Sequence, residues 1–205
     1  MRIKDAETWA AVSTGDDRYL IYGPRVGRLY LLSSDDSSSA TLLGIIGLSG
    51  ATKLTDVVDP VDLVLHSLSD LKKRNLPEVA FSLRCGYRLA RISYHFIPFR
   101  TAAKMAGRMA PLFRSLLPHR DLTPTKIGLI VHAIEEAVGS GSCYPRALLT
   151  AYLSLSSGRR CVLVVGSLVP TRKMHVWCSI DSALPYEPMP EHYMYKPVWM
   201  LALTP

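Results

Sequence analysis

One abrupt change of character constrains this chain most: the small-residue run Gly139-Ser140-Gly141-Ser142 delivers a cysteine, Cys143, to the head of an apolar stretch. Ala147, Leu148, Leu149, Ala151, Tyr152, Leu153 and Leu155 continue that stretch as a helix. Its expected length is about 12–14 residues, and Pro145 suits its first turn, where the amide that proline lacks has no acceptor. Cys143 therefore sits at or just before a helix N-terminus. Unpaired amides and the positive end of the helix dipole favour thiolate there, lowering a cysteine pKa from about 8.5 to roughly 3.5–7.5. A nucleophile is one reading; the other is a small buried hydrophobe, and the residues downstream decide between them.

Residues 161–169 (CVLVVGSLV) read as a buried strand, and residues 173–181 (KMHVWCSID) as a second, alternating strand that carries His175. Asp181 is the nearest carboxylate in sequence, but six residues along an extended strand is about 20 Å. A turn centred near Asp181 and Ser182 would instead set position 187 opposite 175, where cross-strand Cβ atoms lie about 4.5–5.5 Å apart. Glu187 occupies that position. The expectation is that it accepts a hydrogen bond from Nδ1 of His175 and leaves Nε2 to take the thiol proton. Trp177 shares the His175 face and is a candidate wall, whereas Cys178 has the opposite parity and should face away. His132, on a helix expected over 125–138, reads as a polar helix residue, and His192, Tyr193 and Tyr195 receive no chemistry.

The runs GSCYPRALLTAYLSL, SGRRCVLVVGSLV and MHVWCSID, with an acid twelve residues beyond the histidine, resemble the leader-peptidase domain of lasso-peptide maturation proteins of the microcin J25 processing type. The resemblance covers residues 121–187 and implies a transglutaminase-like, papain-related fold with Cys143, His175 and Glu187 as the triad. The usual acid in that family is Asp, so this chain carries one extra methylene. Also implied are leader cleavage in bacterial antibiotic biosynthesis, no metal, and a separate ATP-using cyclase resembling asparagine synthetase as partner.

Charge divides the rest of the chain. The formal net charge is +7, yet residues 1–80 are net negative, and residues 81–120 carry eight Lys or Arg and no acid. The first 80 residues read as a small unit with strands over 7–14, 18–23 and 28–33, a helix over 40–48, and a helix from Pro60 that carries Val61, Val64, Leu65, Leu68 and Leu71 and ends in Lys72-Lys73-Arg74. Three strands followed by helices make a winged-helix-like module. Its negative charge argues against nucleic acid. Its pattern resembles instead the leader-recognition element of peptide-modifying enzymes, in which the leader adds as an edge strand. That resemblance implies contacts from Arg28, Tyr30 and Leu32 on the third strand and from Val64, Leu68 and Lys72 on the helix.

Residues 81–120 read as two basic helices broken at Pro98, with Leu89, Ile92, Phe96, Ala102, Met105, Met109 and Leu112 at helical spacing and expected to be mostly core behind a solvated basic face; the alternatives are a membrane surface, or docking of acidic leader residues or of a partner enzyme. No P-loop occurs, and the four cysteines lack the CxxC spacing of a zinc site or redox pair. The N-terminus has no apolar h-region and no run of 18 apolar residues exists, so a cytoplasmic protein with reduced thiols is expected. The whole reading is an α+β chain: a winged-helix-like leader-recognition module (1–80), a basic helical connection (81–120) and a papain/transglutaminase-like cysteine peptidase core (121–205). The rival readings are a thiol acyltransferase of the same architecture and a non-catalytic leader- or DNA-binding adaptor.

Overall fold

The computed structural model describes residues 6–9, 12–15, 18–23, 28–33, 35–36, 63–65, 77–78, 80–93, 95–113, 122–139, 141–168, 171, 173–189 and 192–205. The described part is mixed α+β. Its centre is a four-stranded antiparallel sheet in which β1 (Ala6–Trp9), β9 (Lys196–Leu203), β6 (Cys161–Leu168) and β7 (Lys173–Ser179) lie side by side in that order. The apolar run of β6 is buried on both faces. Leu163 and Val165 point into the main core, while Val164 joins Trp177, Leu184 and Tyr195 in a smaller cluster on the other side.

Four helices are described: α1 (Phe81–Ser93), α2 (Phe99–Phe113), α3 (Pro124–Val138) and α4 (Cys143–Ser156). Local chemistry marks the last two. Thr123 caps α3 by accepting a hydrogen bond from the Lys126 amide, Pro124 supplies the first turn, and Gly139 ends the helix in the left-handed region at φ 70°. That turn redirects the chain within a few residues into α4, whose side chains are buried almost throughout and which packs on α1, α2, α3 and β7.

The N-terminal strands depart from expectation in one respect. β3 (Arg18–Gly23) and β4 (Arg28–Ser33) form where the alternation places them, but the strand expected over 7–14 is two strands. β1 is hydrogen-bonded to β9 in the central sheet, and β2 (Val12–Gly15) pairs with β3 in a separate antiparallel sheet of order β2-β3-β4. The chain changes sheets between them, which a single run of alternation cannot reveal. Tyr22 of β3 packs against Trp199 of β9, so the two sheets share core.

Two further expectations are corrected. The helix anticipated from Pro60 contains a strand, β5 (Leu63–Val64), paired in parallel with β8 (Ala183–Leu184) and extended by a Leu65 amide bond to the Leu184 carbonyl at 2.9 Å. Tertiary pairing overrides helical spacing there. Of the residues expected in the core over 81–120, Ala102 is buried and Leu112's side chain falls outside the described ones, but Leu89, Ile92 and Phe96 are 66%, 57% and 79% exposed, and Met105 and Met109 are exposed as well. The faces that pack inward carry Tyr87 on α1 and Ala102, Ala103 and Ala110 on α2. Alanines let α2 approach α4 closely, and the bulkier residues of the same periodicity are turned to solvent.

Candidate active site

Three elements converge on one imidazole. Cys143 is the first residue of α4, half-buried, with Ser142 in an extended conformation before it. The Ser142 amide is held by the Tyr87 hydroxyl oxygen at 3.1 Å, and that hydroxyl donates to Glu135 Oε1 at 2.7 Å. The approach to the thiol is thus fixed from α1 and α3.

His175 lies on β7, fully buried and paired across the ladder with Gly166 of β6. A bulge between Val165 and Gly166 disturbs the β6–β9 pairing next to it, a feature that re-aims side chains near sites. Trp177, two residues on and on the same face, stacks on the His175 ring at 5.7 Å and 22°. His192 and Tyr195 close the ring of aromatics at centroid distances of 5.5 and 5.1 Å from His175. These two residues drew no functional reading from the sequence, and no spacing within the 192–195 segment signals that it folds back over β7.

Glu187 reaches His175 as the sequence reading requires, by a different route. Asp181 and Ser182 both have positive φ (53° and 60°), the two-residue turn whose twist suits a hairpin. The Ile180 and Ala183 amides and carbonyls pair across it. The ladder then stops after Leu184, and Glu187 comes from extended chain beyond it. Its Oε2 lies 2.9 Å from Nε2 of His175, and its Oε1 accepts from the Met189 amide at 2.9 Å. The nitrogen is therefore the opposite of the one expected. With Nε2 given to the carboxylate, Nδ1 is the nitrogen left for the thiol. Asp181 lies at the turn, exposed and paired with Arg159 at 3.2 Å.

Arg146 is the residue that sequence reasoning passed over. It sits one turn into α4, buried between two carboxylates: Nε and Nη2 meet Glu135 at 3.0 and 3.3 Å, and Nη1 lies 3.6 Å from Glu187 Oε1. Its guanidinium also rests over the Tyr186 ring at 5.5 Å. The only sequence signal was an arginine inside an otherwise apolar helix.

The electrostatics follow from these contacts. Burial pushes the Cys143 thiol up, but the influence of His175, the Val176 amide and the Arg146 charge outweigh it, and the thiol falls below its ordinary range; Nδ1 of His175 is itself buried with no hydrogen-bond partner among the described residues. Val176 lies on β7, which among the described strands is the edge of its sheet, where outward amides are left for other acceptors. Burial works against the His175 cation too, yet the neighbouring Cys143 sulfur and the hydrogen-bonded Glu187 carboxylate raise it to about 9. Burial raises Glu187, and His175, Arg146 and the Met189 amide reverse that and hold it ionised. His192, by contrast, is lowered chiefly by burial and stays neutral at pH 7. The thiol is thus biased toward thiolate and the imidazole toward its cation, with a carboxylate behind them.

The candidate leader contacts are divided. Arg28, Tyr30 and Leu32 lie on β4, the outer strand of its sheet, with Tyr30 exposed and Leu32 buried. Val64 lies in β5 rather than on a helix, and Leu68 and Lys72 fall outside the described residues. All four cysteines are free. His175, Glu187 and His192 are the one group among the described residues with metal-ligand spacing, and the hydrogen bond and ion pairs above already account for two of the three. No described helix is long and apolar enough to cross a membrane. Comparison with protein families, characterised proteins and solved structures finds no match to this chain.

Proposed function

We propose that this chain is a cysteine peptidase that removes the leader from a ribosomally made precursor peptide. The observation that carries the reading is Cys143 at the head of α4 with its thiol lowered by a buried His175, whose Nε2 is held by Glu187 at 2.9 Å. Resemblance to the lasso-peptide maturation type supplies the substrate class.

In this reading the Cys143 sulfur attacks the scissile carbonyl, and its negative charge passes to the carbonyl oxygen. The Cys143 amide, among the first four of α4 and so without an intrahelical acceptor, is one donor to that oxyanion. As the tetrahedral centre collapses, the C–N bond breaks and His175 gives its Nδ1 proton to the leaving amine, forming a thioester and a free amino terminus. A water then attacks the thioester as His175 takes its proton back; the C–S bond breaks, and the carboxylate product leaves with the thiolate restored. Glu187 holds Nε2–H throughout and keeps the ring in the orientation this cycle needs.

Among the described residues β4 is an outer strand, to whose edge a leader can add as a strand, with Arg28, Tyr30 and Leu32 beside it. The released core would pass to a separate ATP-using cyclase. The test is incubation of a candidate precursor with wild-type protein and with Cys143→Ala, followed by mass spectrometry. Cleavage at one bond by the wild type and none by the variant is expected, while Cys85→Ala and Cys178→Ala retain it; turnover by Cys143→Ala at the wild-type rate removes the mechanism.

A further inference from the structure

We infer that His175, Glu187 and His192 form a binding site for a divalent transition-metal ion of the Zn²⁺ class, and that the bound ion arrests catalysis; the second half of the inference rests on the peptidase reading. One ligand atom from each residue lies within 4.8 Å of the other two. The three arrive by separate routes, from β7, from the extended chain after β8 and from the 3₁₀ turn His192–Met194. Nε2 of His175 stands 2.9 Å from Oε2 of Glu187, and Nδ1 of His192 stands 3.9 Å from the same oxygen.

The longer distance is the informative one. A nitrogen–oxygen hydrogen bond spans about 2.7–3.2 Å, so His192 and Glu187 do not share a proton. Nδ1 of His192 is buried and has no hydrogen-bond partner among the described residues. An orphan of this kind is completed by a water or an ion, and two imidazoles with one carboxylate are the donor set of a transition ion rather than of the hard Ca²⁺ or Mg²⁺. With bonds of about 2.1 Å, two ligands of one zinc ion stand roughly 3.0–3.5 Å apart. The observed 2.9 and 3.9 Å straddle that spacing. Closing the longer one takes about half an ångström, a small shift for a turn of three residues.

The groups around the three ligands aim them. The Met189 amide holds Oε1 of Glu187 at 2.9 Å and Arg146 Nη1 lies 3.6 Å from it, so Oε2 is the oxygen turned to both rings. The His192 ring is set edge-on to Trp177 at 4.7 Å and 87° and to His175 at 5.5 Å and 74°. Three protein ligands leave a coordination position open, as closed structural sites do not, which suits an ion that comes and goes. To enter, the ion displaces the Nε2 proton of His175, which leaves to water. A metal-bound imidazole surrenders its remaining N–H far less readily than an imidazolium, so Nδ1 can no longer hand a proton to the leaving amine and the cycle stops before the C–N bond breaks.

The test is isothermal titration of the full-length protein, freed of metal with EDTA and then dialysed, with ZnCl₂. Saturable binding of one ion per chain is expected in Cys143→Ala, where the thiol cannot contribute. Adding His192→Phe, which keeps a ring against Trp177 but offers no nitrogen, should weaken binding at least about ten-fold, since even groups behind a metal ligand are worth that much. A second readout needs no variant: with Co²⁺ the wild type should show visible d–d bands without the near-ultraviolet band of a sulfur ligand. Affinity unchanged by His192→Phe, or a sulfur band that Cys143→Ala removes, overturns the site. In the wild type Zn²⁺ should slow precursor cleavage, EDTA should restore it, and His192→Phe should blunt the inhibition; cleavage that bound Zn²⁺ leaves alone or stimulates overturns the arrest. Zinc binding that depends on His192 in a protein that cleaves no precursor sinks the peptidase reading and leaves the metal site standing; cleavage without zinc binding does the reverse.

Discussion

Replacing Glu187 by Gln isolates the one contact on which the site's electrostatics turn. The amide is nearly isosteric and can still accept a hydrogen bond from Nε2, but it carries no charge. His175 is raised from 6.5 to about 9, a difference of about 3 kcal/mol in favour of the imidazolium, and it is shared between the Cys143 thiolate and the Glu187 carboxylate. If the carboxylate holds half, its removal costs the ion pair about 1–2 kcal/mol, roughly a ten-fold smaller thiolate population where the proton is contested. The turnover loss should be larger and approach about 10⁴-fold, because the imidazolium must also persist through the transition state. The sign is fixed by direction: a raised histidine keeps its proton until the pH passes about 9, so wild-type kcat/KM should fall above that pH. In Glu187→Gln that basic limb should move down toward 6.5, and iodoacetamide labelling of Cys143 near neutrality should slow. The assay is the pH profile of both quantities for the two proteins. A basic limb unmoved and a labelling rate unchanged would falsify the assignment of Glu187 as the charge that holds His175 in its working state.

Arg146→Met strips the cation from between Glu135 and Glu187 and leaves two buried carboxylates facing each other; about 3–5 kcal/mol of stability should be lost, read as a Tm drop of roughly 6–20 °C in thermal melts. Adding Glu135→Gln to that variant should recover part of the loss, and no recovery would mean that the guanidinium acts through packing alone. Gly166→Ala should be disproportionately costly to activity, because its Cβ would stand 2.6 Å from the Trp177 ring and drive the indole off His175; a misplacement of about 1 Å is worth about 10²-fold in rate, and kcat/KM within two-fold of wild type would rule that out. Ser182→Gly relieves a left-handed residue at φ 60° and should raise Tm by about 2–4 °C, whereas a lower Tm would contradict the turn geometry.

What the sequence disclosed and what it concealed divide along a physical line. The helix start at Cys143, the strand carrying His175 and the reversal at Asp181-Ser182 are written in local terms, by a proline in a first turn, an alternating run and a pair of turn-tolerant residues. Each needed no knowledge of distant chain. The ring nitrogen that Glu187 takes was beyond reach, because it depends on where the extended chain after Leu184 runs once the ladder ends, and no residue between Pro185 and Pro188 fixes that by itself. The direction of the stripe on α1 and α2 was equally hidden. Periodicity establishes that one side of a helix differs from the other, and Leu89, Ile92 and Met105 seemed the side to bury. Burial followed closeness of approach instead, and Ala103 and Ala110 at zero exposure won the interior.

The Gly-Ser approach to Cys143 shows how the charged groups and the backbone constrain each other. A Cβ on Gly141 would lie 3.1 Å from Glu135 Oε2 and 3.2 Å from Arg146 Nη2, so the glycine leaves room for an ion pair packed against the loop. That pair begins a chain of alternating charge, from Glu135 to Arg146, Glu187, His175 and finally Cys143, in which each buried group lies beside one of opposite sign. Buried charges survive only when so partnered, since an isolated one protonates or deprotonates to escape its desolvation. Removal of any inner link therefore acts on the last: without Arg146, Glu187 loses one of the two cations that keep it ionised, and a protonated Glu187 no longer supports the His175 cation. The half-buried thiol at the end of the chain is thus biased toward thiolate by a guanidinium and a second carboxylate that need touch no substrate, and the absence of a side chain at Gly141 is what lets them sit directly behind it.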